Sequence, residues 1–450
     1  MINSKTTYSK IVLFHAIIGG AIFVLPFLAK VYAICIILFG INYVVKNRNQ
    51  NNEALLASAY VVGAEVFLRM TQGNFFEQYA KYGVILFLLI GMFYTSFSKK
   101  SFIYWLFLLL LVPGVILSFF TLNFETDIRK AITFNIIGSV TLFLCALYCY
   151  DRKVSLSTML KIVNMLSYPI IGMLVYMFLY TPSIKDVVTN TESNFQTSGG
   201  YGPNQVSTIL GLGIFLFFTI LLLDASSRTK KIIVSIILLI TTFRGIVTFS
   251  RGGIITGILM ICILVFLVLL NLKSTNFHKI YKLVALVVLT FIGIWTYSSF
   301  QTSGLIDKRY ANEDARGREK ESKLTGRETL IESEFEMFFD NPFFGVGVGK
   351  NKEYREETTG IEAASHNEIS RLFAEHGLFG ILALIILLIT PVLLYLNNKQ
   401  NIFVFSFMIF WLLTINHAAM RIAAPAFIYA LSLLKVSFDE EPTIHREQIT

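Results

Sequence analysis

Residues 252–270, GGIITGILMICILVFLVLL, run for nineteen positions without a charge. As a helix at about 1.5 Å per residue, such a run covers about 28 Å, close to the hydrocarbon thickness of a bilayer. Apolar and polar positions do not alternate along it, so it is not a strand of a transmembrane barrel. Working outward from this stretch, fourteen segments read as spans, at about 11–27, 29–45, 54–70, 79–97, 101–120, 131–150, 159–180, 204–223, 231–248, 252–271, 280–299, 377–396, 401–416 and 418–436. Only Lys30 marks the turn between the first two, so the count is twelve to fourteen. The fold class expected is all-α, a polytopic transmembrane helical bundle. Its parts are a membrane region at 1–299 with about eleven spans, a partly helical outward loop at 300–376, and C-terminal spans with a cytoplasmic tail at 377–450.

Composition agrees. Of 450 residues, 55% are hydrophobic and 15% charged, and 41 are Phe. A soluble domain carries about 25% charge and could not hide this much apolar surface. A soluble enzyme, a disordered chain and a nucleic-acid binder are therefore excluded. The net charge of +9 divides unevenly. Residues 300–376 hold 11 Lys/Arg and 16 Asp/Glu, so the basic surplus lies in the short loops, where it sets topology. Cys35, Cys145, Cys149 and Cys262 all fall inside apolar runs and read as small core hydrophobes. No small-residue cleavage site follows the first apolar stretch, so no cleavable signal peptide is expected.

Lys/Arg residues alternate among the short loops. One set holds Lys5/Lys10, Lys46/Arg48, Lys99/Lys100, Arg152/Lys153, Arg228/Lys230/Lys231, Lys273/Lys279/Lys282, Lys399 and Lys435; the other holds little beyond Lys81, Arg129, Lys130 and Lys185. The positive-inside rule then puts both termini in the cytoplasm and the loops at 181–203 and 300–376 outside.

The long loop is not low-complexity. Its charge-dense start, DKRYANEDARGREKESK from Asp307, reads as solvated. TGRETLIESEFEMFFDNP from Thr325 reads as an amphipathic helix, with a capping box at Thr325/Glu328 and a stop at Asn341-Pro342. FFGVGVGKN is a glycine-alternating turn that fails the phosphate-loop pattern, because Phe344 stands where a Gly is required. SHNEISRLFAEHG from Ser365 begins a second helix, with capping-box spacing at Ser365/Glu368.

Three residues are candidates for catalysis. Arg251, in TFSRGG, lies at an outward membrane edge beside two glycines that permit close approach; it reads as an anion-binding residue or as a snorkelling anchor. Arg327, expected in the first turn of the first loop helix, opposes the helix dipole unless it binds an anion; otherwise it is a solvated surface residue. His366, expected in the first turn of the second helix, is favoured as a neutral imidazole there, the form a general base needs. Asn367 beside it is placed to position a hydroxyl. Tyr201 and Asn204, at the start of a span, read as a glycan or headgroup site or as packing residues. His376 is the next candidate base, whereas His15 and His417 read as structural. No metal-ligand spacing faces outward, so neither metal nor cofactor is expected.

The order of these pieces resembles the O-antigen ligase/O-antigen polymerase superfamily of bacterial envelope proteins. The resemblance rests on GPN near Asn204, TFSRGG at Thr248, TGRETL at Thr325, NPFFGVGVG at Asn341 and SHNEISRLFAEHGLFG at Ser365, over roughly residues 200–390. It implies a C-type glycosyltransferase-like architecture in the bacterial inner membrane, with the active site periplasmic. It implies a metal-independent enzyme that moves a glycan from undecaprenyl diphosphate to an acceptor hydroxyl, with Arg251 and Arg327 on the diphosphate and His366 as base. Inversion at the anomeric carbon is expected, since no carboxylate nucleophile is placed to form a covalent intermediate. The acceptor expected is lipid A core, as for a ligase; a polymerase extending a growing glycan and a protein O-oligosaccharyltransferase are the alternatives. A lipid or polysaccharide transporter is the rival from another class, but it would carry mid-span charges and an internal repeat; no repeat is seen, and the ionisable residues of interest lie at the outward edge and in the loop.

Overall fold

A computed structural model describes residues 4–271, 277–320, 328–360, 365–417 and 420–438. Eleven helices precede the long loop: α1 Ser4–Val24, α2 Leu28–Asn47, α3 Glu53–Met70, α4 Tyr79–Tyr94, α5 Phe102–Thr121, α6 Ile128–Cys149, α7 Leu156–Tyr180, α8 Pro203–Thr219, α9 Arg228–Ile246, α10 Arg251–Asn271 and α11 Phe277–Gln301. The loop holds α12 Leu305–Tyr310, α13 Glu328–Asp340 and α14 Lys350–Thr359; α15 Glu368–Asn397, α16 Val404–His417 and α17 Ala424–Leu431 follow. The protein is a polytopic helical membrane protein, with a helix over every apolar segment. Among the described residues, eight helices are long and apolar enough to cross a bilayer, and three more are shorter and apolar.

The fourteenth span, expected at 418–436, is corrected. Its helix, α17, has 8 residues, all of them buried, and is too short to cross. It fills the bundle interior and then gives way to a short strand, β2 Lys435–Ser437, which pairs in parallel with β1 Lys153–Ser155. The apolar run expresses burial within protein here, not contact with lipid. α3 is the converse case. Nearly every residue is buried, and Glu65 and Arg69 form an ion pair at 2.9 Å inside the bundle.

The connections sort to two ends. At one end, Arg152 donates to the Ser96 carbonyl and Asn401 Nδ2 to the Leu434 carbonyl, and the two strands pair. This end carries the basic short loops. At the other end the long loop meets the 181–202 loop, where Thr191 donates to the Glu313 carbonyl at 2.9 Å. The start of the long loop is partly folded: α12 buries Ile306 and Arg309, whereas residues 315–319 are exposed, as a solvated charge run would be. Gly345, Gly347 and Gly349, at φ 71°, 95° and 85°, let the FFGVGVG strap thread between α5 and α15, with Val346 N–H donating to the Ala374 carbonyl and Val348 N–H to the Gly114 carbonyl. Gly377, at φ 57°, breaks α15 where the loop helix turns into the span.

α8 and α10 approach without side chains between them. A Cβ on Gly211 would lie 1.9 Å from the Gly253 carbonyl oxygen, and one on Gly253 would lie 2.0 Å from that of Ser207. Close backbone approach of this kind gains dispersion contact that larger residues forbid. Gly211→Val should therefore force the pair apart and cost about 1–3 kcal/mol or more. Gly20→Ala, whose added Cβ meets nothing within 4 Å, should change stability by less than about 0.5 kcal/mol. Thermal unfolding of the two variants in detergent checks the contrast.

Candidate functional site

The TFSRGG turn joins α9 to α10 at the loop-bearing end. Phe249 is buried with φ 59°, a conformation that a non-glycine residue holds only when its surroundings impose it. They do: Arg309 Nε donates to the Phe249 carbonyl at 2.9 Å, and Asn194 N–H donates to that of Thr248 at 3.1 Å. Ser250 Oγ donates to Asn204 Oδ1 at 2.8 Å, and Ser207 Oγ to the Ser250 carbonyl at 2.7 Å. Arg251, half-buried, opens α10 and donates from Nη1 to the Arg309 carbonyl at 3.3 Å. The neighbouring glycines serve packing: what approaches Gly253 is α8, and what approaches Gly252 is the His417 ring, 2.9 Å from a built Cβ. Arg327 and the Thr325 cap lie outside the described residues.

His366 does not lie in a helical turn. The cap of α15 is Asn367, whose Oδ1 accepts from the backbone N–H of Ile369 and Ser370; Ser365 Oγ donates to the Asn367 carbonyl instead of closing a capping box. His366 is thus one residue before the cap. The register of α15 makes Asn367, not Ser365, its N-cap residue. The dipole argument for His366 weakens accordingly, since that field falls off beyond the first turn.

Several expected site residues are joined by contacts. Asn367 Nδ2 donates to Asn416 Oδ1 at 2.8 Å. The next residue, His417, places Nε2 3.2 Å from Thr208 Oγ1, which donates to the Asn204 carbonyl. Asn367 and Asn204 are therefore linked through the last turn of α16, with His366 and Arg251 their neighbours in the chain and in the TFSRGG turn. Tyr201 stands nearby: its OH donates to Gln205 Oε1 at 2.7 Å and accepts from Arg69 Nη1 at 3.4 Å. Arg69 Nη2 donates to the Arg421 carbonyl, and Arg421 Nη2 to that of Ser365, at 3.1 Å each. His376 is removed as a candidate base. It is 1% exposed, with its ring packed on Gly114.

A polar cavity of about 990 Å³ opens beside this group, between the loop-bearing ends of α4, α6, α14 and α15. Ser365, Glu368, Arg371 and Arg421 form the wall nearest His366. Arg371 is engaged by Glu368 and Glu375, both buried. Glu334 pairs with Arg355 at 2.9 Å and accepts from Ser370 Oγ, which fastens α13 and α14 to α15. Burial holds the Glu334 carboxyl above its ordinary range, against the lowering effects of Ser370 and Arg355. Lys81, Arg371 and Arg421 were not singled out by the sequence reading. Lys81 looked like a stray topological charge, though a lysine in the first turn of an apolar helix was a signal. The other large cavity, about 890 Å³ between α1, α2 and α3, is lined mostly by apolar side chains. Among the described residues no group of three His, Cys, Asp or Glu is placed to hold a metal ion.

A many-helix membrane protein with a structured loop folded over a polar cavity is the class that fold and site define. Residues 233–385 match the family model described as O-antigen ligase, a segment running from α9 through Arg251, the long loop and His366 into α15. Over that segment the chain is similar to the O-antigen ligase family. No curated protein matches the chain.

Proposed function

We propose that the chain transfers a glycan from undecaprenyl diphosphate to an acceptor hydroxyl at the periplasmic face of the bacterial inner membrane, with both termini cytoplasmic. The observation that carries this reading is the run of contacts from Asn367 through Asn416 and His417 to Thr208, Asn204 and Gly252. It supports a candidate base and a candidate cation working at one end of the bundle. In this reading Arg251, with Arg327, stabilises the charge that develops on the departing diphosphate. His366 takes the acceptor proton, and Asn367, Tyr201 and Asn204 orient sugar hydroxyls. The acceptor oxygen forms a bond to the anomeric carbon as the bond to the diphosphate oxygen breaks on the opposite side, which inverts the centre without a metal. Lipid A core is the acceptor of choice, as a ligase would use; a polymerase would use the growing glycan.

Proteoliposomes supplied with a lipid-linked glycan and lipid A core test this. Glycan on lipid A core is expected. Lengthened glycan on the carrier would establish the polymerase instead. Movement of the intact lipid-linked glycan across the bilayer, with no new glycosidic bond, would establish a transporter and overturn the proposal.

A further inference from the structure

The FFGVGVG strap reaches down to the depth of the spans. Val348 N–H donates to the Gly114 carbonyl, about two turns before the end of α5 at Thr121. Leu378 N–H, just past the Gly377 break in α15, donates to the Pro342 carbonyl at 2.7 Å. Irregular backbone survives at such depth only where its polar groups are paired within the protein. Here every N–H from Gly345 to Lys350 is paired, that of Gly349 with Glu375 Oε1 and the others with backbone carbonyls. The side chains just before this stretch face away from the protein. Phe343 and Phe344 are 68% and 54% exposed, and Phe339, in the last turn of α13, is 72% exposed. They adjoin a larger surface. From Leu378 onward the exposed apolar residues of α15 recur at Leu382, Ile385 and Ile389, the spacing of a single stripe along a span. Phe343 and Phe344 continue that stripe past the break, and the Phe344 ring lies 5.5 Å from that of Phe379.

α13 itself has three faces. Leu330, Ser333, Glu334 and Met337 are buried. Phe335 and Phe339, one turn apart, are exposed, and on the adjoining side so are Glu332, Glu336 and Asp340. A surface helix in water needs only the apolar face that it buries. A second apolar edge, set beside an acidic one, suits a helix lying in a membrane interface, with lipid on one side and water on the other.

We infer that α13 and the strap anchor the long loop in the bilayer leaflet at the loop-bearing end, with Phe339, Phe343 and Phe344 among the lipid chains and Glu332 and Glu336 in water. The occupant of the patch is lipid because the patch is continuous with the exposed apolar stripe of the α15 span. The anchor fixes where the loop stands on the membrane. It stands or falls separately from the transfer reaction.

The test uses the full chain in lipid nanodiscs, with Cys35, Cys145, Cys149 and Cys262 replaced by alanine and one nitroxide label at Phe339→Cys, Phe343→Cys or Glu336→Cys. Collisions with oxygen, which concentrates in lipid, and with a water-soluble nickel chelate are compared. The oxygen-to-nickel ratio should be severalfold higher at 339 and 343 than at 336, which lies one turn from Phe339 on the acidic side. Nickel access at 339 and 343 equal to that at 336 would place the patch in water and overturn the anchor. Shielding of 339 and 343 from both reagents would mean that protein covers the patch, as in contact with a second copy, and would overturn it as well. If the cysteine-free chain does not fold, Phe343→Trp in the otherwise native chain replaces it. The added tryptophan emission should be quenched by lipids brominated on their acyl chains, whereas that of Glu336→Trp should not. Added emission from Phe343→Trp that brominated lipids leave unchanged would overturn the anchor.

Discussion

His366→Ala is expected to lower the transfer rate by about 10²–10⁴-fold, the range that general-base assistance supplies, while donor binding and thermal stability stay near wild type. The placement of the residue makes this separation testable. His366 lies before the cap, so its removal spares the bonds from Asn367 Oδ1 to the first turn of α15. Asn367→Ala, one position on, should instead cost about 1 kcal/mol of stability, because it strips that cap. Two adjacent substitutions thus divide chemistry from folding. Rates are measured as single-turnover glycan transfer in proteoliposomes, and stability by thermal unfolding. Transfer by His366→Ala within a few-fold of wild type would remove it as the base. Attention would then pass to His417, half-buried beside Thr208, because His376 is sealed against Gly114.

The helical segments were legible because the apolar runs are long, and the division into two ends followed from where lysine and arginine accumulate. Hydropathy misled where an apolar run signified protein interior. α17 is as apolar as a span, yet it is a short plug surrounded by other helices. α3 carries Glu65 and Arg69, which hydropathy counts against a span, yet it lies at the centre of the bundle. In the loop, capping-box spacing at Ser365/Glu368 located the helix start in outline, while the register of α15 makes Asn367, not Ser365, its N-cap residue. The motif residues Arg251, Asn204 and His366 could be found from local strings. Their link through Asn416 and His417 could not, because it joins segments far apart in sequence. Lys81 and Arg421 escaped for the same reason: each is an isolated charge in its own loop, and only the folded cavity sets them on one wall.

Arg371→Ala should be the most destabilising single change near the cavity, by about 3–5 kcal/mol. The guanidinium is 5% exposed and sits between two carboxylates, Glu368 at 2% and Glu375 at 0%, while also donating to the Asn135 carbonyl of α6. The pair of ions and their partner are tolerable together; without the cation, two negative charges remain buried and face each other across one helical turn. Lost packing of a buried side chain costs a similar amount, and a second substitution tells the two apart. Glu375 Oε1 accepts from Gly349 N–H at 2.9 Å, so Glu375→Gln preserves an acceptor for the strap and deletes a charge. In the Arg371→Ala background Glu375→Gln should therefore restore stability, although alone it should destabilise. A double-mutant cycle by thermal unfolding in detergent measures this coupling. If the two losses simply add, the Arg371 network does not act as a charge-compensated unit.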